Sequence, residues 1–395
     1  MEPDIRQKVN LIAECIFSKM KETKVESYGL YSGEFGLLLF LLYYSKYFQN
    51  DEQSLLTEKY ADQLLQQFAE QEKMHTFCSG LSGILYLFDF LRENEIIDLD
   101  VSEIQPALEN YIFSKMRQDI RRQHFDFMHG AMGVGLYFMK RKTHPEYIQE
   151  IVDFLHYTAE KDAVNHTFKW KSVVNTEENL MGYNLALSHG ISSIIIFLSR
   201  AVNRGMINEK IRELLTGSVN FILANQRDFS QFGSFFPSFI QINSPNPDRK
   251  SRIAWCYGDL GIGLAFLQAG EALENVEWKE KGLEILLQST QRRTFEETFA
   301  RDAGICHGSA GVAMIYRRLF LKTHREEFKD ATSYWIHQTL GFSCYEDGLA
   351  GYKTVEKDGM KCDYALLSGI AGIGLVLLSY LMDDLQSWDE LFLLQ

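Results

Sequence analysis

The sequence predicts an all-α fold, an (α/α) toroid or barrel of seven inner and seven outer helices, on two observations. A Gly-rich motif recurs seven times, and each copy opens an apolar run. The copies are Tyr31-Ser32-Gly33-Glu34-Phe35-Gly36, Cys78-Ser79-Gly80-Leu81-Ser82-Gly83, Met128-His129-Gly130-Ala131-Met132-Gly133 and Ser188-His189-Gly190-Ile191-Ser192-Ser193. The last three are Cys256-Tyr257-Gly258-Asp259-Leu260-Gly261, Cys306-His307-Gly308-Ser309-Ala310-Gly311 and Leu367-Ser368-Gly369-Ile370-Ala371-Gly372. Successive first glycines lie 47, 50, 60, 68, 50 and 61 residues apart, and a recurring period of this size marks a repeat architecture.

The chain opens on Met1–Met20, where acidic and basic residues are mixed with apolar ones and no signal-peptide core is present. Phe35–Tyr44 and Leu81–Leu91, which follow the first two motifs, are apolar on all sides, as a buried helix is. Gly36–Tyr44, Ile191–Leu198 and Gly369–Leu378 are the most apolar stretches, and each is too short to span a bilayer. Amphipathic segments lie between the motifs. In Asp51–Glu70, Leu56, Tyr60, Leu64 and Phe68 recur every fourth residue among Glu, Lys and Gln. One buried and one amphipathic helix per repeat make an inner and an outer layer. Such pairs close into a toroid or extend as an open solenoid. No repeat carries the polar cap an open end needs, which favours the toroid. The glycines then let crowded inner helices approach at their N-terminal ends. All inner helices run the same way, so the seven motifs gather at one end of a single domain, residues 1–395.

Composition bounds the function. Hydrophobic residues make up 46% and charged residues 24%, as in soluble globular proteins. A net charge of −13 with no basic stripe argues against nucleic acid as a partner. Six cysteines (Cys15, Cys78, Cys256, Cys306, Cys344, Cys362) are too sparse for a disulfide framework and suit reduced thiols in the cytoplasm.

The chemistry gathers just before the first glycines. Cys78, Cys256 and Cys306 stand two before it; His129, His189 and His307 stand one before it. Six of the sixteen Cys and His residues thus fall in fourteen positions, well above a scattered distribution. Cys256 and the pair Cys306-His307 belong to consecutive repeats, and two thiolates with one imidazole suit a zinc ion that keeps one position open. Helix N-termini favour thiolates. Two protein thiolates neutralise Zn²⁺, and a third from a substrate makes the centre electron-rich, holding that sulfur ionised and still nucleophilic. Such a site favours activating a thiol over polarising a carbonyl.

Trp255-Cys256-Tyr257-Gly258, Cys306-His307-Gly308 and Leu187-Ser188-His189-Gly190, spread through seven Gly-rich repeats, resemble the LanC lanthionine cyclases over essentially the whole chain. The resemblance implies an α/α toroid with a central zinc. It implies an enzyme that adds cysteine thiols of a ribosomally made precursor peptide to dehydroalanine or dehydrobutyrine, closing the thioether rings of lantibiotics. Cys256, Cys306 and His307 would be the zinc ligands. His189 would be the acid/base that deprotonates the thiol or protonates the enolate, and Asp126 matches an acidic position facing the zinc. Arg252 would orient Asp126 or stabilise the enolate oxygen, and Tyr257 would line the pocket. Ser193 replaces the second glycine of repeat four, and Cys78 and His129 receive no role. The spacings leave little room for the small inserted domain some members carry. No dehydratase domain precedes the cyclase, so the stand-alone type is expected. The expected partners are a dehydrated precursor peptide, a separate dehydratase and an exporter, in a membrane-associated biosynthetic complex with the chain peripheral to it.

Three long connections are expected on the motif side: 164–187, with His166, Trp170 and Tyr183; 228–251, with Phe232, Phe235, Phe236, Pro237, Pro245 and Pro247; and 341–366, with Cys344 and Cys362. The aromatic one, just before Cys256, reads as a peptide-binding wall or as a packed cover. Three other functions stay open: addition of a small thiol, a non-catalytic zinc-containing scaffold for a peptide or enzyme, and a glycosidase using Asp126 and Asp259.

Overall fold

The computed structural model describes residues 1–21, 25, 27–69, 74–98, 104–175, 178–242, 250–382 and 387–395. In chain order its helices begin α1 (Glu2–Lys19), α2 (Glu34–Phe48), α3 (Asp51–Ala69), α4 (Leu81–Glu93), α5 (Gln105–Arg121), α6 (Ala131–Arg141), α7 (Pro145–Thr158) and α8 (Ile191–Asn203). They continue with α9 (Glu209–Ala224), α10 (Phe229–Phe232), α11 (Asp259–Ala272), α12 (Val276–Ser289), α13 (Phe295–Thr298), α14 (Ser309–Thr323), α15 (Glu326–Gly341) and α16 (Ile370–Leu381). The chain falls into two compact units. One is Met1–Ile104 with Ala300–Leu391; the other is Gln105–Phe299 with Phe392–Gln395.

Each of the seven motifs opens a buried helix, as the sequence predicts: α2, α4, α14 and α16 in the first unit, α6, α8 and α11 in the second. The first glycine is the N-cap in every case, and none of these helices has a capping side chain. The orphan N–H groups of a first turn still need acceptors. Backbone carbonyls of the preceding loop supply them: Leu81 N donates to Met74 O, Ala131 N to His124 O, Ser309 N to Asp302 O and Ile370 N to Asp363 O. The carbonyl six residues before the glycine accepts in each of these, so the loop folds back onto its own helix.

That turn, more than helix–helix approach, is what the first glycine serves. A Cβ on Gly80 would lie 2.4 Å from Met74 O. On Gly258, whose φ is +100°, it would lie 1.9 Å from Arg252 O. At Gly261 the second glycine does serve the expected approach between repeats, since a Cβ there would meet Leu187 Cβ at 2.7 Å, whereas on Gly83, Gly311 and Gly372 it would meet a carbonyl of the preceding loop at 1.9 Å.

Neighbouring motifs are also tied through the backbone at one fixed position, two residues before the first glycine. In the second unit, Leu187 N and Ser188 N donate to Cys256 O. In the first unit, Tyr31 N donates to Cys78 O, and Ile305 N and Cys306 N donate to Leu367 O. Leu367 N donates in turn to Tyr31 O, so repeat seven is joined to repeat one by the same bond that joins consecutive repeats.

The outer layer has the same closure. α2 packs on α3, α6 on α7, α8 on α9, α11 on α12 and α14 on α15. α16 packs instead on α1, from the other end of the sequence. The N-terminal segment is therefore the outer helix of the last repeat. In α3 the buried face is Thr57, Tyr60 and Leu64, while Leu56, expected on that face, is 41% exposed. The three long connections are not plain loops. They hold β1 (Glu160–Asp162) paired with β2 (Thr167–Lys169), β3 (Ser172–Asn175), β4 (Leu180–Asn184) and β5 (Phe239–Gln241) in the order β3-β4-β5, and β6 (Thr354–Glu356) paired with β7 (Gly359–Lys361). All pairings are antiparallel. No helix of the described residues is long and apolar enough to cross a membrane.

Candidate active site

The second unit assembles an acid–imidazole pair from two repeats. Asp126 sits in the turn before Gly130, where its Oδ1 accepts from the N–H groups of Met128 and His129, each at 2.8 Å. Its Oδ2 lies 2.6 Å from Nδ1 of His189, 63 residues further on. Burial pushes the Asp126 carboxyl up, but the His189 bond and charge outweigh it and hold the group below its ordinary value. Burial pushes the His189 imidazole down, and the Asp126 bond and charge, with the Cys256 thiolate, carry it above its ordinary value. The carboxylate accepts the Nδ1 proton, which fixes the tautomer and leaves Nε2 to act on a bound molecule.

The pair opens into a cavity of about 780 Å³ whose wall includes Asp126, His189, Asn184 and Tyr257. Asn184 is buried, donates through Nδ2 to the Tyr257 hydroxyl at 3.3 Å, and so sets that ring. Cys256 is buried beneath the same turn, its carbonyl holding the loop that carries His189. The exposed His129 ring lies parallel to His189, 5.9 Å between centroids. Arg252 is half-buried at the start of its loop. The partners of Asp126 are His189 and the two backbone N–H groups; Arg252 is not among them.

The first unit holds Cys306 and His307. Nε2 of His307 lies 3.0 Å from Oδ2 of Asp302, a carboxylate 1% exposed. Asp302 also accepts from Gly304 N at 3.0 Å and Val355 N at 2.9 Å. A carboxylate on one ring nitrogen is a common way to orient a histidine. The donor set of Cys256, Cys306 and His307 suits zinc in kind. Among the described residues, no group of three or more His, Cys, Asp or Glu stands together so as to hold a metal ion.

Residues 24–393 match the family described as "Lanthionine synthetase C-like protein". The chain belongs to this family. It is 24% identical over 280 residues to the Nisin biosynthesis protein NisC of Lactococcus lactis subsp. lactis, a match covering 63% of this chain and 65% of that protein. It superposes on the solved structure of a Nisin cyclase with a TM-score of 0.76 at 20% identity, over 99% of this chain and 97% of that one. That likeness shows a shared fold, and with it the all-α, α/α-toroid class expected from the sequence.

Within this LanC-like protein several readings change. Asp259, weighed as a glycosidase acid, is 1% exposed and accepts from the N–H groups of Phe235 and Phe236 at 3.0 and 3.1 Å. It anchors a loop. Phe235 and Phe236 are themselves buried, so they are core and not a peptide-binding wall. Pro245 and Pro247 lie outside the described residues. Sequence reasoning missed Asn184 and Asp302, yet a signal existed. Asn184, Asp302 and Asp363 all stand six before a first glycine, and each accepts through Oδ1 from the N–H two residues on.

Proposed function

We propose that this chain is a zinc-dependent cyclase forming lanthionine and methyllanthionine bridges, by adding cysteine thiols of a ribosomally made precursor peptide to dehydroalanine or dehydrobutyrine. The observation that carries the reading is the His189–Asp126 pair at the wall of the cavity, in a chain that carries the Cys256 and Cys306-His307 motifs of its family. Cys256, Cys306 and His307 would hold the zinc, with Asp302 fixing the His307 ring. Bound there, zinc would keep a substrate thiol ionised at neutral pH. Nε2 of His189 takes the proton that the thiol gives up on binding; the thiolate sulfur then closes on the β-carbon, and the C–S bond forms as the alkene electrons move to the α-carbon and its carbonyl. The same nitrogen returns the proton to the α-carbon, so atoms balance with nothing released. Asp126 stabilises the imidazolium between these transfers. Tyr257 lines the pocket, and Arg252 is the positive residue assigned to the enolate oxygen. A dehydrated precursor peptide, a separate dehydratase and an exporter are the partners this reading names, with residues 1–395 acting as one domain at the periphery of their complex.

The test is metal content joined to ring closure. Closure conserves mass, so it is read as protection of the peptide cysteine from alkylation. The purified protein should hold about one zinc, as expected for a single site with an open position. Cys306→Ala should lose most of the metal and the activity together. Full metal content in that variant would end the zinc assignment, and unprotected cysteines with the zinc-loaded protein would end the cyclase reading.

A further inference from the structure

We propose that the cavity takes its peptide as an added β-strand, docked on the open edge of β3. The inference rests on the cyclase reading and names how the substrate is held. Among the described residues, β3 is the terminal strand of its sheet, with β4 on one side only. Lys171, Ser172, Val173, Val174 and Asn175, five consecutive residues, all line the cavity that holds Asp126 and His189. Successive side chains of a strand point to opposite faces. β3 thus meets the cavity along its length, and its outer edge carries main-chain N–H and C=O groups that face away from β4.

One detail favours a short segment as the occupant. Val174 has no partner on β4, because the register shifts between Val173 and Asn175. A bulge of this kind limits pairing to a short stretch and guards the edge against other sheets. The main chain of a peptide supplies affinity at such an edge, and its side chains project alternately. One set would point towards His189. Ring closure on differently spaced residues needs that tolerance, because backbone pairing does not read sequence.

The test is amide hydrogen exchange with a linear peptide carrying one dehydroalanine and a serine in place of the attacking cysteine. Its binding should slow exchange at Ser172–Asn175 and leave Glu160–Asp162, in the other hairpin, unchanged. In turnover of the cysteine-containing peptide, Val174→Pro removes one N–H and should raise KM about tenfold with kcat held. N-methylation of the peptide beside the dehydroalanine should weaken binding by a similar factor. Rings that close while β3 shows no protection would overturn the docking and leave the cyclase intact. A peptide that neither binds nor cyclises on the zinc-loaded protein would overturn both.

Discussion

Two histidines occupy the same place in two repeats and are held by different ring nitrogens. His189 and His307 each stand one residue before a first glycine, and each is tied to a carboxylate. His189 binds through Nδ1, to a residue of the preceding repeat. His307 binds through Nε2, to a residue of its own turn, five positions back. A repeat position thus specifies an imidazole at a helix start, and the position of the carboxylate decides which nitrogen it holds. In the second unit Nδ1 is on the acid and the ring stands at a cavity. In the first Nε2 is on the acid, and Cys306 is the preceding residue. One scaffold position is thus oriented in two ways when the acid is moved.

The sharpest way to break this comparison is to remove each imidazole's role separately. His189→Ala should lower the rate of ring closure about a thousandfold and keep its zinc, measured by thiol alkylation and by metal analysis on the same sample. Loss of zinc there would make His189 a ligand and erase the contrast. Asp302→Ala should do the reverse. Zinc affinity should fall roughly ten- to a hundredfold, read by competition with a chelator, and activity should return at saturating zinc. A variant that stays inactive with full zinc would give Asp302 a direct part in the reaction.

The smallest effect is in stability. The Asp126 carboxyl is depressed in the fold, with burial opposing and the His189 bond prevailing. Its contribution is full above the ordinary carboxylate pKa and is lost as pH falls through the folded value. His189 is shifted the other way, so its share is full below its ordinary pKa and is lost as pH rises through the folded one. Wild type should therefore exceed Asp126→Asn in urea unfolding midpoint near pH 6, and the gap should narrow from about pH 4 downwards. A gap that stayed constant on acidification would show that the pair is not ionic.

Much of this was legible beforehand. The seven motifs located all seven buried helices to the residue at which they start, because a Gly-centred turn followed by an all-apolar run has few other structures available. Cys256, Cys306, His307 and His189 stood out for the same reason, as repeated positions with unusual chemistry. Leu56 misled, since four-residue spacing drifts around a helix of 3.6 residues per turn, and Thr57 took its place on the buried face. Phe235 and Phe236 misled because an aromatic loop reads as a wall until its backbone is seen on Asp259. The short strands inside the connections carried too few residues to show period-two patterning.

What the sequence by itself determined is therefore the repeat: its helices, the turn that begins each, and the kinds of residue at the turn. These are local matters of spacing, glycine sterics and apolar runs. Only the tertiary structure decided which repeat touches which. It placed α1 on α16, joined the motif of repeat seven to that of repeat one through Leu367 N and Tyr31 O, and brought Asp126 to His189 across 63 residues. The Leu367–Tyr31 joint lies at a periodic position, but which repeat it meets leaves no mark in the chain, because partners are chosen by closure of the fold and by neighbours in space.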